Sequence, residues 1–254
     1  MMQLAAHEAA AVHAVPLPVS SWCLFLDVDG TLLELAASPT AVVVEPELLD
    51  LLTRLRIAAG GALALVSGRT LVDLDRLFGA LHLPSAGLHG GERRSASGET
   101  YVADVVHAQL GEVREGLREI VSRHRGLLLE DKGAGLALHF QGARELEHQL
   151  RAEVALLAAP LVPTYALLDG HCVIEVKPAA YSKDSAVGAF MREVPFTGRT
   201  PIFIGDDLTD CGGFEAVRRE GGLAIAVGPR VTSEWWLPGP TAVHRWLEQL
   251  AEHR

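Results

Sequence analysis

Two aspartates stand directly after an apolar run near the start of this 254-residue chain. The run Cys23–Leu26 predicts a buried strand, which ends in Asp27-Val28-Asp29-Gly30-Thr31. Residues two apart in an extended segment point to the same side, so Asp27 and Asp29 can share one pocket. Two close carboxylates keep their charge best around a cation, and acidic oxygen ligands suit Mg²⁺. The segment therefore predicts a magnesium site at a strand end, or else a polar turn after a core strand.

Two isolated residues allow similar alternatives. Ser67 follows the apolar run Ala62–Val66, and its hydroxyl can hold a phosphoryl oxygen or simply cap a helix. Lys183 begins a predicted helix, where a cation opposes the helix dipole. A point charge for an anionic phosphoryl group explains that placement, and a solvated surface lysine is the alternative.

A second acidic segment, Gly205–Asp210, follows the apolar run Ile202–Ile204. An acidic helix start would also produce this pattern. However, two acidic strand ends in one parallel sheet can converge on a single cation. In such a site one carboxylate can attack phosphorus, and another can exchange a proton with the leaving alcohol and then with water.

The elements around these segments alternate between strands and helices. The helices are predicted over Pro46–Ala59, Thr70–Phe78, Ser182–Arg192, Cys211–Glu220 and Thr241–His253, with Pro84–Leu88 as a strand or loop and Leu223–Val227 as a strand. This order predicts an α/β fold in which helices cover a parallel sheet.

The pattern changes near Gly91 and returns after Val176. A helix, two strands, a helix and one strand are predicted at Leu110–His124, Leu127–Glu130, Gly135–Phe140, Ala143–Ala158 and His171–Val176. We expect an α+β cap domain over residues 94–176, inserted into a core of residues 21–93 and 177–254, after a flexible tail of residues 1–20.

In order along the chain, the four strand-end segments resemble those of haloacid dehalogenase-type phosphotransferases. The resemblance implies a Rossmann-like core with a C2-type cap. It makes Asp27 the nucleophile that forms an aspartyl-phosphate and Asp29 the general acid and base. It also implies that the phosphoryl group is bound by Thr31, Ser67 and Lys183, and that Mg²⁺ is held by Asp27, the backbone carbonyl of Asp29 and Asp206, with Asp207 or Asp210 in support.

Several longer stretches resemble the trehalose-6-phosphate phosphatases, from about Ser21 to the C-terminus. They are Gly87–Arg94, Glu130–His139, His171–Pro178, Pro201–Asp210 and Trp235–Leu247. This resemblance implies trehalose 6-phosphate as the substrate, split into trehalose and phosphate. It implies a substrate-binding set of Gly68, Arg69, His89, Glu92, Glu130, Lys132 and Glu175. We interpret His139 as structural.

Four positions depart from the pattern of that family. Gln141 stands where an arginine is usual and His171 where a lysine is usual, so the expected sugar pocket loses charge. Asp184 replaces a glycine and Cys211 replaces a glutamate, without removing a catalytic group. The departures keep another sugar phosphate, such as sucrose phosphate or mannosylglycerate phosphate, as an alternative substrate.

Composition narrows the class of partner. The formal net charge of −10 argues against nucleic acid as the main partner, because a protein that binds nucleic acid needs a basic face. No apolar run is long enough to span a membrane. Three widely spaced cysteines fit a reducing cytoplasm. We expect a cytoplasmic monomer that binds a small sugar phosphate; a catalytically silent sugar-phosphate sensor is the alternative of another class.

Overall fold

The computed structural model describes residues 15–18, 21–35, 42–102, 110–170 and 172–253. The chain divides into a larger unit, which runs to Tyr101 and resumes at Ser182, and a smaller unit, Val102–Tyr181. The described strands are β1 Trp22–Leu26, β2 Leu63–Val66, β3 Ser85–Gly87, β4 Glu92–Arg94, β5 Thr100–Val102, β6 Leu128–Asp131, β7 Leu136–His139, β8 Tyr165–Gly170, β9 Val173–Pro178, β10 Thr200–Gly205, β11 Leu223–Val227 and β12 Trp235–Leu237. The described helices are α1 Pro46–Ala58, α2 Leu71–Phe78, α3 Gly111–Arg123, α4 Glu147–Ala158, α5 Lys183–Met191, α6 Cys211–Arg219 and α7 Pro240–Glu252.

The larger unit is built on an eight-stranded sheet in the order β12-β11-β10-β1-β2-β3-β4-β5. The strands from β12 to β3 pair in parallel, and β4 pairs antiparallel with β3. β1 lies between β10 and β2, with Leu26 opposite Ile204 and Leu65. Because these three strands run the same way, the residues that follow them emerge at one edge of the sheet.

Apolar strands explain why this sheet is buried. Every residue of β1 and β2 is buried, as parallel strands covered on both faces require. The rings of Phe25, Phe190 and Phe196 pack together, with centroids 5.4 Å apart between Phe25 and Phe196 and 5.2 Å apart between Phe190 and Phe196. A rigid apolar core therefore fixes the strand ends that carry the candidate site.

The smaller unit has a four-stranded antiparallel sheet in the order β6-β7-β9-β8. Alternate residues of β9 are buried, and Ile174 and Val176 join a separate apolar cluster with Leu117 of α3 and Leu150 of α4. The other β9 residues, among them Glu175, are only partly buried. One face of this sheet thus packs on helices, and the other carries polar side chains.

The structure differs from the sequence predictions in several places. The smaller unit has a fourth strand, β8, which was not predicted, and β9 starts later and extends further than predicted. The larger unit runs to Tyr101 and resumes at Ser182. β4 and β5 continue the larger sheet past residue 93, and β9 of the smaller sheet runs on to Pro178.

The N-terminal tail is described only at residues 15–18 and so lies mostly outside the described residues. Val15 is buried, and its carbonyl accepts a hydrogen bond from the indole of Trp246 at 3.3 Å, so this residue is part of the core rather than a flexible tail. Across the described residues, we find no helix that combines the length and the apolar character needed to cross a membrane.

Candidate active site

A buried lysine joins two aspartates at the carboxyl edge of the larger sheet. Nζ of Lys183 lies 2.6 Å from Oδ1 of Asp27 and 2.6 Å from Oδ1 of Asp210. Asp27 directly follows β1, and Lys183 is the first residue of α5, where Ser182 caps the helix. The side chain of Lys183 is only 2% exposed, so both ion pairs are shielded from water.

The second acidic segment is arranged around Asp210. Its Oδ2 accepts hydrogen bonds from the backbone N–H groups of Asp206, at 3.0 Å, and of Asp207, at 2.9 Å. Thr31 donates from Oγ1 to Oδ1 of Asp206 at 3.3 Å. Gly30 has a φ of 85°, and a Cβ there would collide with the carboxylate of Asp206. The turn after β1 thus needs glycine both for its backbone and for the approach of Asp206.

Asp27, Asp206 and Asp210 form an acidic cluster in which one carboxylate oxygen of each lies within 4.8 Å of the others. Burial, opposed by Lys183 and assisted by Asp210, raises the pKa of Asp27 to about 7. Burial and the carboxylate of Asp27, opposed by Arg230, raise the pKa of Asp206 to about 8. Burial also raises the pKa of Asp210. Buried oxygen ligands whose charge is poorly compensated fit a hard divalent cation such as Mg²⁺.

Burial opposes the charge of Lys183, but its two aspartate partners, Asp210 and Asp27, outweigh burial and raise its pKa above the ordinary value. The lysine therefore stays charged and holds the carboxylate of Asp27 in place. The prediction that Lys183 binds a phosphoryl group remains a prediction, although its charge and burial suit that role.

Asp29 is held by an arginine rather than by the acidic cluster. Nε and Nη2 of Arg69 lie 2.7 Å and 2.6 Å from the two carboxylate oxygens of Asp29. Ser67, directly after β2, is buried and accepts the backbone N–H of Arg69 at 3.2 Å. The imidazole of His89 packs against Gly68, where a Cβ would lie 2.8 Å from the ring. The predicted residues of this loop thus come together at the same sheet edge.

Arg230 is a residue that sequence reasoning missed. It lies after β11, and its Nη2 is 3.2 Å from Oδ2 of Asp206 and 2.6 Å from Oδ2 of Asp207. β11 is the sheet neighbour of β10, which ends at Gly205 just before Asp206. The sequence offered only a weak signal, a lone arginine in the loop after a predicted apolar strand, and the pairing of β11 with β10 is what brings it to the acids.

The smaller unit carries two ion pairs on the partly exposed face of its own sheet. Lys132 donates to Glu175 at 2.8 Å, and Nε2 of His139 lies 2.8 Å from Glu130. Burial opposes the charge of Glu130, but His139 and Lys132 outweigh it and hold the pKa of Glu130 below its usual range. His139, interpreted as structural, is thus a direct partner of a predicted substrate-binding residue.

Glu92 has a local partner within the larger unit. Its carboxylate accepts the backbone N–H of Leu71 at 2.8 Å, which satisfies a free donor at the start of α2. Its predicted contact with substrate stays a prediction.

Of the four departures, Asp184 pairs with Arg219, Gln141 follows β7 and is half-buried, and Cys211 is a half-buried thiol whose pKa is raised by burial. His171 lies outside the described residues.

Comparisons with known proteins agree on the family. A family model described as trehalose-phosphatase matches residues 25–235. The trehalose-6-phosphate phosphatase of Escherichia coli (strain K12) is 41% identical over 232 residues, which cover 91% of this chain and 87% of that relative. The solved structure of a trehalose-6-phosphate phosphatase related protein is 25% identical, with a TM-score of 0.74 over 91% of this chain and 97% of that one. A haloacid dehalogenase-like hydrolase from Bacteroides thetaiotaomicron is 16% identical, with a TM-score of 0.63 over 91% and 99%.

The fold, with acids following neighbouring parallel strands, is that of a haloacid dehalogenase-like hydrolase, and the predicted α/β class is confirmed. Within that class the chain belongs to the trehalose-phosphatase family, because the family model spans most of its length. The resemblance seen in the sequence motifs is therefore confirmed, and the protein is a phosphatase by family.

Proposed function

We propose that this protein is a Mg²⁺-dependent phosphatase that hydrolyses trehalose 6-phosphate to trehalose and phosphate. The observation that carries the proposal is the buried carboxylate of Asp27, held 2.6 Å from Lys183 beside Asp206 in a chain of the trehalose-phosphatase family. An oriented carboxylate next to a fixed cation suits in-line attack on a phosphate monoester.

Two aspartates divide the chemistry. A carboxylate oxygen of Asp27 forms a bond to phosphorus as the bond from phosphorus to the sugar oxygen breaks, which gives an aspartyl-phosphate. Asp29 donates a proton to the leaving sugar alkoxide. Asp29 then takes a proton from the water that attacks phosphorus, and phosphate leaves as Asp27 is regenerated. Arg69 orients Asp29 through its paired hydrogen bonds.

Three polar residues are proposed to bind the phosphoryl oxygens. Lys183 supplies a buried positive charge, and Thr31 and Ser67 supply hydroxyl groups beside the same strand ends. Mg²⁺, when bound, supplies positive charge that balances the carboxylates and the phosphoryl oxygens. It would be held by Asp27, Asp206 and the backbone carbonyl of Asp29, with Asp207 or Asp210 in support.

The sugar is proposed to be recognised by the smaller unit. Glu130, Lys132 and Glu175 present acceptors and a charged donor on its sheet, and such groups suit sugar hydroxyls. The name of the Escherichia coli relative gives trehalose 6-phosphate as the first choice. Gln141 and His171 reduce the charge expected there, so sucrose phosphate and mannosylglycerate phosphate belong in the test.

We also propose a cytoplasmic monomer. Cys23, Cys172 and Cys211 are free thiols, which fits a reducing compartment. The mass of the protein in solution, measured by light scattering, would show a monomer of 27.2 kDa.

The decisive experiment measures phosphate release from trehalose 6-phosphate, glucose 6-phosphate, sucrose 6-phosphate and mannosylglycerate phosphate, with Mg²⁺ or with EDTA. We expect Mg²⁺-dependent release from trehalose 6-phosphate far above the others. Release from another sugar phosphate alone would keep the phosphatase chemistry and overturn the substrate. Substrate binding without any release would instead support a sensor.

A further inference from the structure

Arg230 makes contacts that the proposed reaction does not use. Its Nη2 atom lies between two carboxylates, 3.2 Å from Asp206 Oδ2 and 2.6 Å from Asp207 Oδ2. It is carried by the loop after β11, the strand that pairs in parallel with β10, with Ala226 opposite Gly205. The sheet register therefore brings an arginine to the acidic segment at the same edge.

The rest of the guanidinium makes no comparable contact. Nε and Nη1 of Arg230 are buried and form no hydrogen bond with any residue that the structure describes. A buried N–H group without an acceptor is unfavourable. The attraction of Asp206 and Asp207 is thus the interaction that offsets this cost and accounts for the position of the side chain.

The formal charges around Asp27 show what Arg230 contributes. Five carboxylates, Asp27, Asp29, Asp206, Asp207 and Asp210, are paired with three cations, Arg69, Lys183 and Arg230. The excess is two negative charges, which one divalent cation neutralises. Loss of Arg230 would raise the excess to three and strengthen the attraction for a cation.

We propose that Arg230 is a built-in counter-cation that competes with Mg²⁺ for the carboxylates of Asp206 and Asp207 and so limits the affinity for the metal. This inference rests on the proposed Mg²⁺-dependent function. Arg230 is a positioning residue, because it acts through the acids rather than on the substrate. Its ion pairs hold the acidic segment together when magnesium is scarce, at the expense of affinity for the metal.

The variant Arg230→Gln tests this directly, because glutamine keeps a hydrogen-bonding side chain without the charge. We expect the Kd for Mg²⁺, measured by calorimetry on the full chain, to fall about tenfold. We also expect a lower melting temperature than the wild type in EDTA, and a larger rise on addition of Mg²⁺.

Arg218→Gln is the matched control. Arg218 is an exposed arginine of the same unit that donates to an uncharged partner, Oγ of Ser233, at 2.7 Å. It loses the same charge without touching a carboxylate, so its Mg²⁺ affinity should match the wild type. An equal gain in affinity in both variants would assign the effect to net charge and overturn the proposal.

Unchanged or weaker Mg²⁺ binding by Arg230→Gln also overturns the proposal. If that variant does not fold, Arg230→Lys replaces it: a retained charge should keep the Kd within about threefold of the wild type, and a larger change would show that charge is not the cause. Failure of the proposed function is distinct, because the wild type itself would then neither bind Mg²⁺ nor release phosphate.

Discussion

The acids of the larger unit and those of the smaller unit occupy different environments. In the larger unit Asp27 and Asp206 are buried, and burial raises the pKa of both well above the ordinary value. In the smaller unit Glu130 and Glu175 are half-buried beside His139 and Lys132, and the pKa of Glu130 is lowered. The first set is short of positive charge and suits a metal and a reactive phosphate, whereas the second is balanced within itself and suits neutral hydroxyl groups.

The largest effect should come from removing the nucleophile. Asp27→Asn keeps the size of the side chain but replaces the nucleophilic carboxylate by an unreactive amide. Turnover of every phosphate ester should therefore fall by at least about a thousandfold. The fold should persist, because Lys183 keeps its second partner, Asp210. Steady-state kinetics and circular dichroism test both points. Asp75→Asn, at an exposed position, is the control, and residual turnover above a tenth of the wild type would remove Asp27 as nucleophile.

A glycine substitution in each unit separates backbone strain from crowding. Gly30→Ala and Gly133→Ala each place a side chain at positive φ, which costs about 1 kcal/mol. Gly30→Ala should lower the free energy of unfolding by about 2 kcal/mol more than Gly133→Ala. The new methyl group at residue 30 meets the carboxylate of Asp206, whereas nothing lies within 4 Å of a Cβ at Gly133. Urea unfolding of both variants provides the measurement. Equal decreases in the free energy of unfolding would show that the carboxylate of Asp206 does not crowd a side chain at residue 30.

Substitution in the smaller unit should affect recognition without affecting the chemistry. Glu175→Gln removes the charged partner of Lys132, so kcat/KM for trehalose 6-phosphate should fall about 10- to 100-fold. Hydrolysis of p-nitrophenyl phosphate, which has no sugar, should stay near the wild-type rate. Glu153→Gln, which alters an exposed ion pair of the same unit, is the control. Equal losses on both substrates would place Glu175 outside sugar recognition.

The last comparison of the two units concerns the pH dependence of stability. The ordinary pKa of Asp27 and Asp206 is 3.8, and in the folded protein it is about 7 and about 8. The folded state therefore keeps protons that the unfolded chain has lost. The free energy of unfolding in EDTA should fall as pH rises from 5, and each carboxyl group should contribute to the fall only up to its folded pKa, about 7 for Asp27 and about 8 for Asp206. Thermal unfolding from pH 5 to 9 measures this decrease.

Mg²⁺ should abolish the decrease, because the cation replaces the protons on the same oxygens. Glu130 affects the free energy of unfolding in the opposite direction. Folding lowers its pKa from 4.5, so the stability that it provides is present above pH 4.5 and is lost as the pH falls further. If the free energy of unfolding falls with rising pH in Mg²⁺ as much as it does in EDTA, the acidic cluster is not a metal site.

The sequence was most informative where apolar strands end in polar residues. Asp27, Ser67 and Asp206 follow runs that are buried throughout, and a parallel sheet aligns such ends without further information. Arg230 follows the same kind of strand, but a lone arginine in a loop has no distinctive spacing. Its role depends on the pairing of β11 with β10, which only the folded structure reveals.

Weak local patterns explain the strands that were not predicted. The sequence of β8, Tyr-Ala-Leu-Leu-Asp-Gly, does not alternate strictly between apolar and polar residues. It is a strand because it pairs with β9. β4 is short and polar, with two adjacent arginines, yet it joins the larger sheet through β3. In such segments the tertiary pairing, rather than local preference, decides the structure.

The hydrogen-bonded ion pair of Lys183 and Asp27 joins residues that lie 156 positions apart in the sequence. The paired strands β1 and β10 are separated by a similar length of chain. During synthesis the ribosome must therefore make the whole smaller unit before β1 can gain its partner on that side. The smaller unit is a continuous segment with its own apolar cluster, so it can fold as soon as it emerges. The acidic centre is thus assembled late, and a nascent chain that stops short of Lys183 carries Asp27 without the cation that orients it.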